Sequence, residues 1–157
     1  MGEVLSRHFM KELLSGLEYM HSKNVTHLDI KLQNCFLDKN MRVKVADFGH
    51  SKCFGSEEKC TGLCGTEGYQ APETLRADAA YDGVAADIFA CGVSMFILTF
   101  AMSPFESAQH FTYRRLVRDP AGIMESRNIE ASPEFLDLFT SMIRQDPLKR
   151  PTLQEIQ

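Results

Sequence analysis

Residues 27 to 34 read HLDIKLQN, which sets a histidine, a lone carboxylate, a lysine and a carboxamide within eight positions. Asp29, Lys31 and Asn34 offer an acid–base group, a fixed positive charge and an amide. Proton transfer beside a developing negative charge uses such groups. The same stretch also reads as a polar turn between a helix and a strand, so it needs support from elsewhere. Eighteen residues after Asp29 a strand-like stretch ends in DFG, residues Asp47 to Gly49, placing a second carboxylate before an aromatic and a glycine. Three more signals follow: GTEGYQAPE at 65 to 73, DIFACG at 87 to 92 and DPLKRPT at 146 to 152.

In this order the five signals resemble the eukaryotic protein kinase family, serine/threonine type, and specifically its large C-terminal lobe, over essentially the whole chain. The pattern HxDxxxxN falls on His27, Asp29 and Asn34, DFG on Asp47, Phe48 and Gly49, and APE on Ala71, Pro72 and Glu73. Lys31 and the GTxxYxAPE form of residues 65 to 73 are similar to serine/threonine rather than tyrosine kinases. The resemblance implies transfer of the ATP γ-phosphate to serine or threonine hydroxyls of protein substrates, with ATP and Mg2+ as cofactors. It implies that Asp29 accepts the substrate proton, that Lys31 offsets charge on the transferred group, and that the Thr66 hydroxyl braces both. Asn34 and Asp47 would hold magnesium, which needs only one or two protein carboxylates beside phosphates and water. Phe36 would lie beneath the adenine. His27 and Phe48 would stack in a column between lobes, with Gly49 the flexible residue after them. Asp87 would hold the catalytic-loop backbone, and Glu73 and Arg150 would form a buried ion pair.

Two departures from the family pattern matter. Leu28 stands where an arginine normally separates the histidine from the aspartate and pairs with a phosphate on the activation segment, here residues 47 to 73. Leucine cannot make that pair, so activity is expected not to be switched through it, although Ser51, Ser56 and Thr61 remain candidate phosphosites. The sequence also contains no GxGxxG loop and reads as a large lobe truncated at both ends, with the small N-terminal lobe absent. Weak or no autonomous activity is the expectation, together with an apolar patch around Phe36 and Phe48 for an N-lobe-bearing segment or partner. A non-catalytic kinase-like docking module is the alternative.

The elements that must position these residues are readable. Leu5, Phe9, Leu13 and Leu17 recur every four residues, with Met10, Leu14 and Met20 beside them, predicting a helix over 4 to 20. A polar turn follows at His21 to Asn24. CFLD and RVKVAD, within 35 to 47, read as two short strands joined at Lys39 and Asn40. From Gly49 to Gly68 the periodicity is lost. Asp82 can cap a helix containing IFACGVSMFILTFA, residues 88 to 101, apolar on every side and closed by Ser103 and Pro104. Those 14 residues fall short of the roughly 20 that span a bilayer, so the segment is a core axle. A weaker helical stretch covers 107 to 118, and Ser132–Pro133–Glu134 starts a helix to about Ile143. Thr152 caps a last turn. The expected fold is mainly α with a short β ribbon, a protein-kinase-like large lobe built round a central buried apolar helix.

Composition excludes other classes. With 157 residues, 44% hydrophobic and 24% charged, the chain forms one domain with its own core. A net charge of −4 argues against an extended nucleic-acid or anionic-membrane surface. The N-terminus reads as neither a signal nor a transit sequence, and MGEVLS fits the myristoylation pattern only loosely. Cys35, Cys53, Cys60, Cys64 and Cys91 are odd in number and irregularly spaced, which suits a reducing intracellular, cytoplasmic setting. A zinc site formed by His50, Cys53, Cys60 and Cys64 is a weaker reading, because the spacing contains no tight CxxC pair.

Overall fold

The computed structural model describes residues 2–54 and 59–156. The helix predicted over 4 to 20 is α1, Glu3–Ser22, one turn of which absorbs the expected turn at His21. Its buried face comprises Met10, Leu13, Leu14, Leu17 and Met20, but Leu5 is exposed and Ser6 is buried in its place. A strict four-residue repeat drifts by about 40° per step on a 3.6-residue helix, so the two ends of that row cannot face one core. Ser6 tolerates burial because its hydroxyl donates to the Gly2 carbonyl at 2.9 Å.

The apolar segment forms α2, Gly83–Phe100, and Asp82 caps it by accepting from the amides of Val84 and Ala85. At 18 residues it is longer than its apolar run suggested and could cross a membrane by length and composition alone, yet 78% of it is buried inside the fold. It is the axle of the core. Ala101, in the left-handed conformation, ends it two residues before the expected Ser103–Pro104 stop. Phe96 packs with Phe100, Phe135 and Phe139, while Phe89 meets Phe105 and Tyr113. Aromatic pairs in such tilted geometries stabilise a core beyond their area.

The predicted ribbon is present as β2, Cys35–Leu37, antiparallel to β3, Val43–Val45, with Cys35 opposite Val45. Glu12 on α1 accepts from the Val43 amide at 2.6 Å and moors the ribbon to the helix. A second ribbon escaped the sequence pattern: β1, Val25–Thr26, pairs antiparallel with β4, Lys52–Cys53. Two-residue strands carry too little alternation to be seen. The stretch predicted over 107 to 118 is α3, Phe111–Arg118, and α4, Pro120–Ser126, follows it beyond Asp119 without having been expected. Asp119 caps α4 and Pro120 opens it, so the proline that stops one helix starts the next. Ser132 caps α5, Pro133–Met142, through the Phe135 amide, and α6, Leu153–Ile156, closes the described chain.

Where α5 crosses α2, a Cβ on Gly92 would lie 2.9 Å from the Met142 Cβ and 3.1 Å from the Ile143 Cγ2. Glycine therefore sets the spacing of the two helices. Gly92→Ala should destabilise the protein by about 1–3 kcal/mol despite alanine's better helix propensity. Urea denaturation checks this, and an unchanged or higher midpoint would count against close packing as the reason for the glycine.

Candidate active site

The loop between β1 and β2 is fastened to the core at one carboxylate. Asp87, on the first turns of α2, is 0% exposed. Its Oδ1 accepts from the Leu28 amide at 2.7 Å and its Oδ2 from the His27 amide at 2.9 Å. The His21 ring donates through Nε2 to the same Oδ2 at 2.9 Å. Three donors offset the cost of removing this charge from water. The His27 ring is fixed from both sides: Nε2 donates to the Ala46 carbonyl at 3.0 Å, and Nδ1 accepts from the Asp29 amide at 3.2 Å. That pairing assigns the proton to Nε2 of a neutral ring. Phe48 lies against the ring with centroids 5.3 Å apart.

These anchors hold Leu28 at φ 64°, a conformation leucine rarely adopts. Gly65 explains part of the tolerance, since at φ 89° its missing Cβ would lie 2.8 Å from the Leu28 carbonyl. The segment beyond Asp47 therefore approaches the loop backbone closely at Leu28. Leu28 itself is buried, so no charged side chain occupies that position.

Asp29, also buried, follows. Lys31 Nζ donates to its Oδ2 at 2.8 Å and to the Thr66 hydroxyl at 2.7 Å, while that hydroxyl donates to Asp29 Oδ1 at 2.6 Å. Asn34 Nδ2 donates to the Asp29 carbonyl at 2.9 Å and to Oδ2 at 3.2 Å. Asp29, Lys31 and Thr66 thus close a ring of hydrogen bonds, and Asn34 braces that ring through Asp29. Burial pushes the Asp29 carboxyl up, but hydrogen bonds from Lys31, Thr66 and Asn34, with the Lys31 charge, outweigh it and hold the group below its ordinary value. With its amide nitrogen engaged, Asn34 keeps Oδ1 without a protein partner among the described residues.

Asp47 stands at the end of β3's strand direction at φ 63°, exposed, with Oδ1 accepting from the Gly49 amide at 3.3 Å. Its neighbour Ala46 donates to the Asn34 carbonyl at 2.9 Å, which ties this stretch to the loop carrying Asn34. Phe36 and Phe48 are 59% and 52% exposed.

Glu73 and Arg150 meet at the opposite end of the segment. Arg150 Nη2 donates to Glu73 Oε2 at 2.8 Å and Nη1 to Oε1, in bidentate fashion. The same guanidinium donates to the carbonyls of Ala85 and Arg144 at 2.9 Å each and lies 5.0 Å from the centre of the Phe89 ring.

Sequence reading missed His21, which is 66 residues from Asp87, and gave Gly65 no role as a spacer against Leu28. No local spacing announces either. The zinc reading receives no support: among the described residues no three metal-ligating side chains converge. Of the four proposed ligands Cys64 and His50 meet, at 3.5 Å, whereas Cys60 contacts Thr26 and Cys53 lies exposed on β4. Burial also raises the Cys64 thiol, disfavouring the thiolate a metal needs. Thr61 is exposed and Ser51 donates weakly to the His27 carbonyl at 3.4 Å, while Ser56 lies outside the described residues.

Two outcomes follow from this geometry. Arg150→Ala leaves Glu73 without its cation and should cost about 3–5 kcal/mol, read from the melting temperature. Because the folded-state value of Asp29 lies below its ordinary 3.8, its contribution to stability is complete above that pH and is lost as pH falls through the folded value. Acid titration of stability in Asp29→Asn should show a shallower loss below about pH 4 than in the parent.

The whole chain, residues 1–157, matches the family model described as protein kinase domain. It is 36% identical over 159 residues to the probable cell cycle serine/threonine-protein kinase CDC5 homolog of Encephalitozoon cuniculi, an alignment covering 99% of this chain and 34% of that protein. It is 35% identical to serine/threonine-protein kinase SAPK9 of Oryza sativa subsp. japonica, covering 96% and 43%. It is 33% identical to the phosphorylase b kinase gamma catalytic chain, liver/testis isoform, of Bos taurus, covering 99% and 39%. The chain thus spans less than half the length of these curated relatives. Since the family match runs from end to end over the loop, the segment and the ion pair described above, this chain belongs to the protein kinase family.

Proposed function

We propose that this chain is the large-lobe portion of a serine/threonine protein kinase and transfers the γ-phosphate of ATP to serine or threonine hydroxyls of proteins. The closed ring of Asp29, Lys31 and Thr66, braced by Asn34 through Asp29, carries the proposal. Asp29 is held ionised at neutral pH, so its carboxylate can orient a hydroxyl and take its proton as the oxygen attacks phosphorus. Lys31 is pinned from two sides and presents a fixed positive charge to the transferred group. Thr66 brings the segment after Asp47 into register with the loop, which favours a substrate hydroxyl entering between them.

The donor set fits magnesium: Asn34 Oδ1 and the exposed Asp47 carboxylate are hard oxygen ligands with no competing cation among the described residues. Asn34 and Asp47 would hold the ion. When bound, it would supply positive charge to offset that of the nucleotide phosphates. Phe36, exposed on β2, supplies an apolar surface for adenine.

Turnover by these 157 residues alone should be slow, since they include no glycine-rich loop to grip the phosphates. Each forgone charge-assisted hydrogen bond is worth about 1.5–3 kcal/mol, and every 1.4 kcal/mol is about tenfold in affinity. A segment or partner supplying the upper half of the cleft would cover the exposed Phe36 and Phe48. The five free cysteines favour a reducing, cytoplasmic setting.

Phosphate incorporation from radiolabelled ATP into a mixed serine/threonine peptide library tests the reading, alongside calorimetry with magnesium-ATP. Asp29→Asn should lower incorporation by about 100-fold or more while leaving nucleotide binding in place. Asp47→Asn should abolish the magnesium dependence of binding. A parent chain that neither binds nucleotide nor incorporates phosphate would leave the non-catalytic docking module as the better account.

A further inference from the structure

Helix α3 carries a stripe that the proposed chemistry does not use. Phe111, Arg114, Arg115 and Arg118 stand at i, i+3, i+4 and i+7, which places them on one face, opposite the buried Tyr113 and Leu116. All three arginines are exposed, and Phe111 is 59% exposed. His110 lies against Phe111 with ring centroids 4.4 Å apart and extends the aromatic end of the stripe, its Nε2 lying 3.5 Å from the Glu106 carboxylate. No salt bridge engages Arg114, Arg115 or Arg118 among the described residues. The nearest acid in sequence, Asp119, turns its carboxylate to the Gly122 amide at 2.9 Å instead.

Like charges three and four residues apart weaken a helix, and a helix end can be complemented by one cation in its last turn. Arg115 and Arg118 occupy that last turn, but Arg114 and the exposed Phe111 gain nothing by it. The repulsion is retained in a chain whose net charge is −4, so the stripe stands out as a local basic face on an acidic molecule. Guanidinium groups grip carboxylates in bidentate pairs, and arginine beside an aromatic is the composition of binding hot spots.

We propose that this face of α3 docks an acidic segment of a partner protein, with carboxylates on Arg114, Arg115 and Arg118 and one apolar side chain over Phe111 and His110. The stripe is about 10 Å long at 1.5 Å rise per residue, the reach of about four extended residues. That length suits a short peptide motif, and it is too small to neutralise a run of nucleic-acid phosphates. The inference stands independently of the catalytic reading.

Fluorescence anisotropy tests it with a labelled peptide of alternating aspartate, glutamate and leucine. The control probes are the lysine counterpart of that peptide, a single-stranded RNA oligonucleotide and vesicles containing phosphatidylserine. The acidic peptide should bind the chain, and Arg114→Glu with Arg118→Glu should weaken it by about tenfold or more. Phe111→Ala should weaken it less, and raising salt to about 0.5 M should act as the charge reversal does. The single variant Arg114→Ala repeats the comparison should the double variant have an altered circular dichroism spectrum. Binding that is absent, or unchanged in the variants, overturns the proposal. So does arginine-dependent preference for RNA or vesicles, or self-association lost in the same variants.

Discussion

A single buried carboxylate organises the molecule. Asp87 is the one acidic or basic residue of the α2 axle, and every donor it receives comes from outside α2: two loop amides and one ring on α1. A charge so far from water would be prohibitive without such donors, so core formation and loop placement become one event. The conformation of residues 27 and 28 is thereby dictated by α2 rather than by local preference. Asp29 follows immediately and inherits that placement.

The segment from 47 to 73 is held by the same logic at both ends. Near its start, β4 pairs with β1, directly before the loop, and Ala46 bonds to Asn34. Near its finish, Glu73 is clamped by a guanidinium that also reaches the carbonyls of Ala85 and Arg144. Thr66 lies between these moorings, and its hydroxyl joins loop and segment through Asp29 and Lys31. Mobile residues could not keep three atoms within hydrogen-bond distance without such end constraints. The two-point attachment is what lets the irregular backbone around Thr66 serve as a rigid frame.

What was legible in the sequence had either a period or a fixed offset. The long helices and the Cys35–Val45 ribbon came from periodicity, the caps at Asp82 and Ser132 from residue type beside a helix start. The candidate site came from motif order, because Asp29, Lys31 and Asn34 lie within six positions. Contacts between distant positions with no local mark were hidden. His21 reaches Asp87 across 66 residues, and Glu12 reaches the Val43 amide across 31. Leu5 was misjudged for a geometric reason, since an even repeat of four rotates away from the core. Helix α4 lay beyond the predicted stretch, because its 7 residues are too few to show a period and Pro120, though a good first residue of a helix, also reads as a break.

The leucine at position 28 bears on how readily such a chain could acquire new control. A phosphate arriving on the neighbouring segment would find no cation there, and the backbone at that point already bends to the left with a glycine carved out against its carbonyl. Introducing arginine alone would drive a charge into a site shaped for an alkyl group, at a loss until an anion appeared beside it. A new anion alone would find no cation at position 28, although Lys52 Nζ lies beside the Thr61 carbonyl at 2.5 Å. The cost falls on the arginine, so a pairing through position 28 would need the anion to be in place before the cation could gain by it.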